Sequence, residues 1–447
     1  MNTRATAAQI LTAVIRDQHS LNDLLQQKIP LTLADRDRGL IKAYCFGVLR
    51  WYFRLKIIAD LLVYKPIKSR EQDIACLLLI GLYQLIYLNT PPHAAVSETV
   101  NAAQILKKPW AKGLLNQALH QFIQRREFFL QTADAAETGK FSHPQWMIER
   151  WIAHFGEAMT IALLQANNAA PLLSCAIQRP EQRSEILREL KTAGMRVEDG
   201  VFLKTAIAVS GGSPARTDAF RTGKISIQDE ASQAIPLLLD VHPGDRVLDL
   251  CAAPGGKTLQ MVRAAASKGF IVATDLHSHR VDAMQAQFNR LKLSNIRIMQ
   301  LDATRPLPFA TTFNRILVDA PCSGTGTLAR HPEIRWRLQP RQFEQFHPLQ
   351  IAILCNAAAH LAPGGRLVYS TCSLEGEENE QVVSEALARI SGVHLAAKSE
   401  VGRALQEHLA SDVQLSDLLD AAGEFRTIPG KQHTDGFFAA VLVRERE

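Results

Sequence analysis

The sequence predicts a multidomain protein with an all-α N-terminal domain, a small α/β linker module and a mostly parallel, doubly wound α/β domain. Residues 1–140 show helical spacing of apolar residues without strand alternation. Residues 236–447 alternate apolar strand patterns with helical patterns, as parallel sheets covered by helices do. The chain has 447 residues, 47% of them apolar, which suits about two to four domains with buried cores.

The predicted all-α domain, residues 1–140, has about six or seven helices with short connections. Its longest apolar stretch, Ala75 to Leu88, contains Gln84 and is shorter than the roughly 20 residues that cross a bilayer, so we expect a buried core helix. The domain holds 18 Lys and Arg against 11 Asp and Glu, a net charge of +7, whereas the rest of the chain sums to −1. Such a basic domain is typical of a polyanion-binding arm, and a solvated basic face gives the same pattern.

A polar, proline-terminated segment from Thr132 to Pro144 marks the predicted end of the helical domain. Residues 141–235 then combine strand patterns at 171–178 and 200–206 with a helix that ends at Gly194. This pattern predicts the small α/β linker module. Residues 236–447 form the third predicted domain.

Cysteine and histidine usage excludes several kinds of site. Seven cysteines, without a CxxC pair or a secretory signal pattern, argue against a disulfide framework. The fourteen histidines show no metal-ligand spacing, so we expect no metal. We expect a cytoplasmic protein with no membrane partner. Four cysteines are interpreted as small buried apolar residues: Cys45, Cys76, Cys175 and Cys355.

Acidic residues lie at the ends of four successive predicted strands of the third domain, where parallel sheets bind their ligands. They are Asp249, Asp275, Asp302 and Asp319. One such aspartate is commonly a turn former or a helix cap, but four in a row favour a ligand site. The carboxylate of Asp275 can accept hydrogen bonds from both hydroxyls of a ribose, and Asp302 is placed to meet an adenine edge.

The loop after the first of these strands has the sequence CAAPGGKT, Cys251 to Thr258, and its two glycines let the backbone approach a ligand. A dinucleotide fold requires G-x-G-x-x-G, which is absent. A phosphate loop requires glycine at the position of Cys251. The aspartates that follow favour a third interpretation, the first loop of a methyltransferase that binds S-adenosylmethionine.

Two cysteines directly follow apolar strand patterns. Cys322 lies in DAPCSGTG and Cys372 lies in YSTCSLEGEENE. A thiolate at either position could add to carbon 6 of a cytosine, which makes carbon 5 nucleophilic. DNA cytosine methyltransferases use the cysteine of a Pro-Cys motif for this step, which points to Cys322. The residues alone leave the choice between the two thiols open.

Three segments, LDLCAAPGGKT, DAPCSGTG and YSTCSLEGEENE, resemble the signature motifs of the NOL/NOP/Sun family of RNA cytosine-5 methyltransferases. The segments QDEASQ, HPEIRW and RTIPGKQHTDGFFAAVL also fit, so the resemblance covers residues 221–447. The N-terminal domain is similar, in helical content and charge only, to the antitermination factor NusB. Within the family the chain is most similar to the bacterial enzymes that act on 16S ribosomal RNA.

The resemblance implies an S-adenosylmethionine-dependent 16S rRNA (cytosine-5) methyltransferase with a NusB-like RNA-binding domain and a Rossmann-like catalytic domain. It implies that Cys372 attacks carbon 6 and that Cys322 assists release of the product. Asp319 would orient the base, and Lys257 would contact Asp319 or the base. The candidate cofactor-binding residues are Cys251, Ala252, Ala253, Pro254, Gly255, Gly256, Lys257, Asp275, Arg280, Asp302 and Asp319.

The expected partner is 16S ribosomal RNA or a small-subunit assembly intermediate, and the expected state is a monomer. The basic segment Arg330 to Arg337 could hold the RNA strand by charge and by stacking on Trp336, or it could begin a helix with Trp336 in the core. DNA methylation is disfavoured because serine follows the Pro-Cys pair, where the DNA enzymes have glutamine. A non-enzymatic RNA-binding factor is disfavoured because both thiols and all four aspartates are present.

Overall fold

The computed structural model describes residues 2–30, 32–266 and 268–446. The chain divides into two compact units. The helical unit comprises Met1–Ala170 and Leu328–Leu338, and the sheet unit comprises Pro171–Thr327 and Gln339–Glu447.

The helices of the described residues are α1 (Thr3–Ile15), α2 (Leu21–Lys28), α3 (Asp35–Arg50), α4 (Tyr52–Leu62), α5 (Gln72–Tyr87), α6 (Pro92–Ile105), α7 (Ala111–Gln124), α8 (Arg126–Asp134), α9 (Glu137–Phe141), α10 (Gln145–Phe155), α11 (Glu157–Asn168), α12 (Arg183–Thr192), α13 (Asp218–Arg221), α14 (Glu230–Leu238), α15 (Gly256–Ala264), α16 (Ser278–Arg290), α17 (Ile334–Arg337), α18 (Phe343–Ala359), α19 (Glu380–Arg389) and α20 (Lys398–Gln406).

The strands are β1 (Leu173–Ile177), β2 (Arg196–Asp199), β3 (Ala206–Ser210), β4 (Ile225–Ile227), β5 (Arg246–Leu250), β6 (Phe270–Asp275), β7 (Ile296–Gln300), β8 (Phe313–Asp319), β9 (Leu361–Thr371), β10 (Val393–Leu395), β11 (Phe425–Thr427) and β12 (Phe437–Arg444).

Helix α5 forms the centre of the helical unit, as its apolar sequence predicts. Gln84 is fully buried on this helix, and its side-chain oxygen accepts hydrogen bonds from Arg4 and from the Tyr44 hydroxyl. Its side-chain nitrogen donates to the Thr99 hydroxyl. The polar residue in the apolar stretch is therefore satisfied inside the core. Among the described residues, no helix has the length and apolar character needed to cross a membrane.

The helical unit continues to Ala170, beyond the predicted boundary at residue 140. Helices α10 and α11 bury apolar residues, Trp151 among them, and lie within this compact unit. The predicted linker at Thr132–Pro144 is instead largely helix α9 and a turn. That turn is fixed by the buried His143, whose Nδ1 lies 2.7 Å from the Phe141 carbonyl oxygen.

The helical unit also includes the segment Leu328–Leu338, which directly follows the chain around Cys322. Arg335 is buried, and its guanidinium donates to the carbonyl oxygens of Arg50, Ser142 and Asn167. The indole of Trp336 packs against Tyr52 at 4.3 Å between ring centroids. Packing, and not RNA binding, is therefore the role of these two residues in the Arg330–Arg337 segment.

The first part of the sheet unit is an antiparallel sheet in the order β2-β3-β1-β4, with the chain order βαββαβ. The strand predicted at 200–206 is wrong, because Gly200–Thr205 form the connection between β2 and β3. The buried carboxylate of Glu230 accepts hydrogen bonds from the backbone N–H groups of Val201, Phe202 and Leu203. Because these three N–H groups bond to Glu230, the connection does not form a regular strand.

The larger sheet runs β10-β12-β9-β8-β5-β6-β7, and β11 pairs with β12. Strands β7, β6, β5, β8 and β9 are parallel neighbours, whereas β12 is antiparallel to β9. The apolar cores of the parallel strands are buried, as a sheet covered on both faces requires. The carboxyl ends of five parallel strands therefore meet at one edge, which confirms the predicted doubly wound domain.

We expect Arg335→Ala to destabilise the helical unit by about 2–4 kcal/mol, because three buried carbonyl oxygens lose their donor. The exposed Arg337 is the control, and Arg337→Ala should change the unfolding free energy by less than about 0.5 kcal/mol. All five tryptophans lie in the helical unit, so urea unfolding followed by tryptophan fluorescence reports on this unit. Equal midpoints for the two variants would contradict the structural role of Arg335.

Candidate active site

The loop between β5 and α15 approaches the neighbouring strand closely. The N–H of Ala252 donates to the Thr274 carbonyl oxygen at 2.8 Å. Gly255 has φ +96°, and a Cβ added there would lie 2.8 Å from the Phe288 ring. Glycine is therefore required at this turn for both its conformation and its size. The loop lies at the carboxyl end of β5, directly before the start of α15.

Two predicted cofactor aspartates lie after β6 and β7. Asp275 is buried at the end of β6, and its Oδ1 accepts a hydrogen bond from the His277 N–H at 3.0 Å. Asp302 is partly exposed, and hydrogen bonds from the hydroxyl and N–H of Thr304 lower the pKa of its carboxyl group. Arg280 is exposed in the first turn of α16. Both carboxylates remain able to accept hydrogen bonds from a ligand.

Asp249 has a different environment from the other three aspartates. It is fully buried within β5, and its Oδ2 accepts a hydrogen bond from the Thr258 hydroxyl at 2.6 Å. Burial raises the pKa of Asp249 to about 7. Asp249 therefore stabilises the start of α15 from inside the core. Three aspartates, not four, lie at the sheet edge.

Asp319, at the end of β8, is held by two neighbours. Lys257 Nζ lies 2.7 Å from its Oδ2, and the Ser370 hydroxyl donates to its Oδ1 at 2.8 Å. Lys257 Nζ also lies 5.1 Å from the centre of the Phe437 ring. The predicted contact between Lys257 and Asp319 is thus present, and the carboxylate keeps lone pairs for a further donor.

The two candidate thiols meet after adjacent parallel strands. The Sγ atoms of Cys322 and Cys372 are 3.4 Å apart, and both residues are partly exposed. The hydrogen bond with Cys372, together with burial and the nearby charge of Glu378, raises the pKa of the Cys322 thiol well above its usual range. Cys322 therefore favours the protonated form. Either sulfur can be the donor in the hydrogen bond between them.

The buried carboxylate of Glu378, a residue that the sequence motifs did not indicate, joins the two cysteine loops. Its Oε1 accepts hydrogen bonds from the Ser323 N–H at 2.8 Å and from Gln350 Nε2 at 3.1 Å. Its Oε2 accepts hydrogen bonds from the hydroxyls of Ser323 and Ser373. Burial raises the pKa of Glu378, and the four donors oppose that effect. Each serine directly follows a thiol, so Glu378 fixes both cysteines.

A sequence signal for Glu378 does exist. The same dipeptide, Cys-Ser, occurs at residues 322–323 and 372–373, and a cluster of glutamates follows the second copy. A serine after each thiol indicates a shared acceptor, but several glutamates of this cluster could have filled the role. The turn at Gly376–Glu378 places the Glu378 carboxylate against both serines.

Gly326 brings the Cys322 loop against two other segments. Its N–H donates to the Cys372 carbonyl oxygen at 2.9 Å, and its own carbonyl oxygen accepts from the Gly436 N–H at 2.8 Å. A Cβ at Gly326 would lie 2.2 Å from the Gly436 carbonyl oxygen. Any side chain at this position would therefore separate the loops. Among the described residues, no cluster of His, Cys, Asp or Glu is placed to hold a metal ion.

Three family models match successive parts of the chain. Residues 236–443 match the 16S rRNA methyltransferase RsmB/F model. Residues 1–124 match the NusB family, and residues 143–216 match the ferredoxin-like domain of RsmF/B-like methyltransferases. The ferredoxin-like match agrees with the βαββαβ order of the smaller sheet.

Individual proteins are similar over most of the chain. The ribosomal RNA small subunit methyltransferase B of Klebsiella pneumoniae (strain 342) is 34% identical over 100% of this chain and 99% of the relative. The crystal structure of PH0851 has a TM-score of 0.78 at 22% identity and covers 99% of both chains. NSun6 from Pyrococcus horikoshii, solved with SFG, has a TM-score of 0.58 at 20% identity over 68% of this chain and 99% of that one. The two structures show a common fold.

We expect Glu378→Gln to make Cys322 react with iodoacetamide at lower pH than in the wild type. The substitution keeps the size of the side chain but removes a negative charge that disfavours the Cys322 thiolate. The reaction rate of Cys322 against pH, measured by peptide mass spectrometry, should shift to lower pH.

The control is Glu344→Gln, which removes an exposed carboxylate of the same unit and should leave the Cys322 profile unchanged. If the two variants give the same profile while Glu378→Gln lowers thermal stability, Glu378 is a structural residue without electrostatic influence on Cys322.

Proposed function

The chain belongs to the RsmB/F family of 16S rRNA methyltransferases, and from this membership we propose that it methylates carbon 5 of a cytosine through a covalent thiol adduct. One observation carries the proposal. Two thiols 3.4 Å apart follow adjacent strands, beside a carboxylate held by a lysine. Methylation of an oxygen or of an exocyclic nitrogen has no use for a second thiol, whereas carbon 5 requires a nucleophile to activate the ring.

The methyl donor of this family is S-adenosylmethionine, which supplies an electrophilic methyl group when bound. The chemistry of the sheet edge fits this group. We propose that the backbone of the loop Cys251–Lys257, which follows the carboxyl end of β5, meets this group. We propose that Asp275 accepts hydrogen bonds from the ribose hydroxyls and that Asp302 and Arg280 line the adenine side.

We assign the nucleophile to Cys372. Its sulfur adds to carbon 6 of the cytosine, and the electron pair of the carbon 5–carbon 6 double bond makes carbon 5 nucleophilic. The resemblance to the RNA cytosine-5 methyltransferases supports this choice, because it implies that the cysteine of the Thr-Cys-Ser segment is the nucleophile. Cys372 also has a fixed position, since its carbonyl oxygen is held by Gly326 and the next residue by Glu378.

Asp319 orients the base. An oxygen of its carboxylate can accept a hydrogen bond from the exocyclic amine or from the protonated ring nitrogen of the cytosine, which favours addition at carbon 6. Lys257 and Ser370 hold the carboxylate, so its direction is set before the base arrives. Lys257 is thus a positioning residue in this proposal.

Release of the product requires loss of the carbon 5 proton to a base and departure of the Cys372 sulfur from carbon 6. The bond between carbon 5 and carbon 6 becomes double again in this elimination. We assign Cys322 a part in it, because its sulfur lies 3.4 Å from the Cys372 sulfur and is the nearest titratable group on the neighbouring loop. Without Cys322, the adduct should persist.

The helical N-terminal region, with its net charge of +7 over residues 1–140, is proposed to bind the RNA as a separate domain. The predicted division into residues 1–140, 141–235 and 236–447 then assigns RNA binding, connection and catalysis in turn, and we propose that a monomer carries out all three. The target base must leave any stack to reach Cys372.

We expect Cys322→Ala to accumulate a covalent protein–RNA complex and Cys372→Ala to form none. The two variants and the wild type would each be incubated with unmodified 16S rRNA and S-adenosylmethionine and run on a denaturing gel, with 5-methylcytosine measured by mass spectrometry. Cys372→Ala should lose at least about 10³-fold in methylation rate, because the activated ring is no longer formed.

The matched control is Cys355→Ala, which removes a thiol of the same unit that lies on α18 outside the site. It should methylate at the wild-type rate without a stable adduct. A band with Cys372→Ala instead of Cys322→Ala would reverse the two roles. Methylation at a position other than carbon 5, without an adduct in any variant, would reject the covalent mechanism.

A further inference from the structure

A groove on the helical unit has features that neither the fold nor the thiol site explains. It has a volume of about 360 Å³, within the roughly 300–1,000 Å³ of pockets for small organic groups. Its walls come from the connection between α4 and α5 and from the start of α7. Its lining includes Lys65, Ile67, Lys68, Arg70, Trp110 and Leu114.

The groove is positively charged. Lys65, Lys68 and Arg70 are all exposed at its rim. Its one acidic lining residue, Glu71, forms an ion pair with Lys108, whose Nζ lies 2.7 Å from Glu71 Oε2. Glu71 also pairs with Arg70, whose Nε lies 3.4 Å from Glu71 Oε1. Lys65 and Lys68 are therefore the rim cations left to attract an anion.

The groove also exposes a large aromatic ring. The side chain of Trp110 is 58% exposed, although tryptophan is among the residues that gain most from burial. Ile67 and Leu114 provide apolar surface beside the indole ring. Tyr64, next to Lys65 in the chain, is 98% exposed. An exposed aromatic ring among cations is the combination with which proteins bind single-stranded nucleic acid.

The two walls of the groove are tied together. Lys108, in the turn between α6 and α7, binds both Glu71 and Asp73, and each Nζ–oxygen distance is 2.7 Å. Asp73 and Glu71 lie at the start of α5, so the lysine joins the walls at their base. The groove is thus formed before any ligand binds, which lowers the entropic cost of binding.

We propose that this groove binds a single-stranded segment of ribosomal RNA, with one base stacked on Trp110 and the adjacent phosphates at Lys65 and Lys68. The proposal rests on the proposed function for its ligand and names the surface of the helical unit that performs RNA binding. Bases stack on indole without regard to sequence. The groove therefore contributes binding affinity and positions the RNA, whereas the thiol site selects the cytosine.

The test compares a charge variant with a stacking variant of the full chain. Affinity for a fluorescein-labelled single-stranded 16S rRNA fragment would be measured by anisotropy over a range of salt concentrations. Lys65→Ala/Lys68→Ala should weaken binding and reduce the slope of log K against log salt by about 1.4, since each phosphate contact on a single strand contributes about 0.7. Trp110→Ala should weaken binding about 5- to 150-fold with the slope unchanged.

Matched controls are available on the same unit. Lys28→Ala/Lys42→Ala removes two exposed lysines, and Phe128→Ala removes a ring that is 48% exposed; none of the three lines the groove. These variants should bind as the wild type does. In methylation assays, the groove variants should raise KM for RNA and leave kcat at saturating RNA within about twofold, because they leave the thiol site intact.

Groove variants that bind RNA with wild-type affinity and salt slope, while the wild type binds and methylates the RNA, would reject the groove and leave the proposed function standing. The same result together with an altered affinity for an acidic peptide probe would assign the groove to a protein partner instead. If the wild type neither binds nor methylates the fragment or intact 16S rRNA, the proposed function itself is wrong.

Discussion

The buried carboxylate of Glu378 is the interaction on which the thiol site depends. Two loops after β8 and β9 each carry a cysteine followed by a serine, and both serine hydroxyls donate to this one carboxylate. An unpaired buried carboxylate would be costly, so its four donors must be in place for the site to fold. The 3.4 Å separation of the two sulfurs is a consequence of that requirement.

The carboxylates of this site differ in their environments. Asp249 is buried beneath the first loop and has a pKa raised to about 7, whereas Asp319 lies at the strand end between Lys257 and Ser370. The first carboxylate bonds to Thr258 inside the core, and the second lies at the edge of the sheet. Glu378 has a third role, since its charge raises the pKa of Cys322. Position relative to the sheet edge therefore decides what each acidic group can do.

The polypeptide runs directly from the Cys322 loop of the thiol site into a segment of the helical unit. The Cys322 loop ends at Thr327, and the next residues, Leu328–Leu338, fold as part of the helical unit with Arg335 buried among carbonyl oxygens. Arginine suits this place because its planar fork serves several acceptors at once. A segment that looks like an RNA-binding stretch by composition is in fact an anchor, and the exposed cations of the groove lie elsewhere on the unit.

The sequence by itself determined the order of the domains, the parallel sheet and the candidate loops, because periodicity, apolar runs and strand-end residues are local properties. It also placed Asp275, Asp302, Asp319 and both thiols at strand ends, where parallel sheets bind ligands. It did not determine that Asp249 points inward, that Glu378 binds both serines, or that Arg335 is buried. Those facts depend on contacts between residues far apart in the chain, and burial decides them only when the units fold.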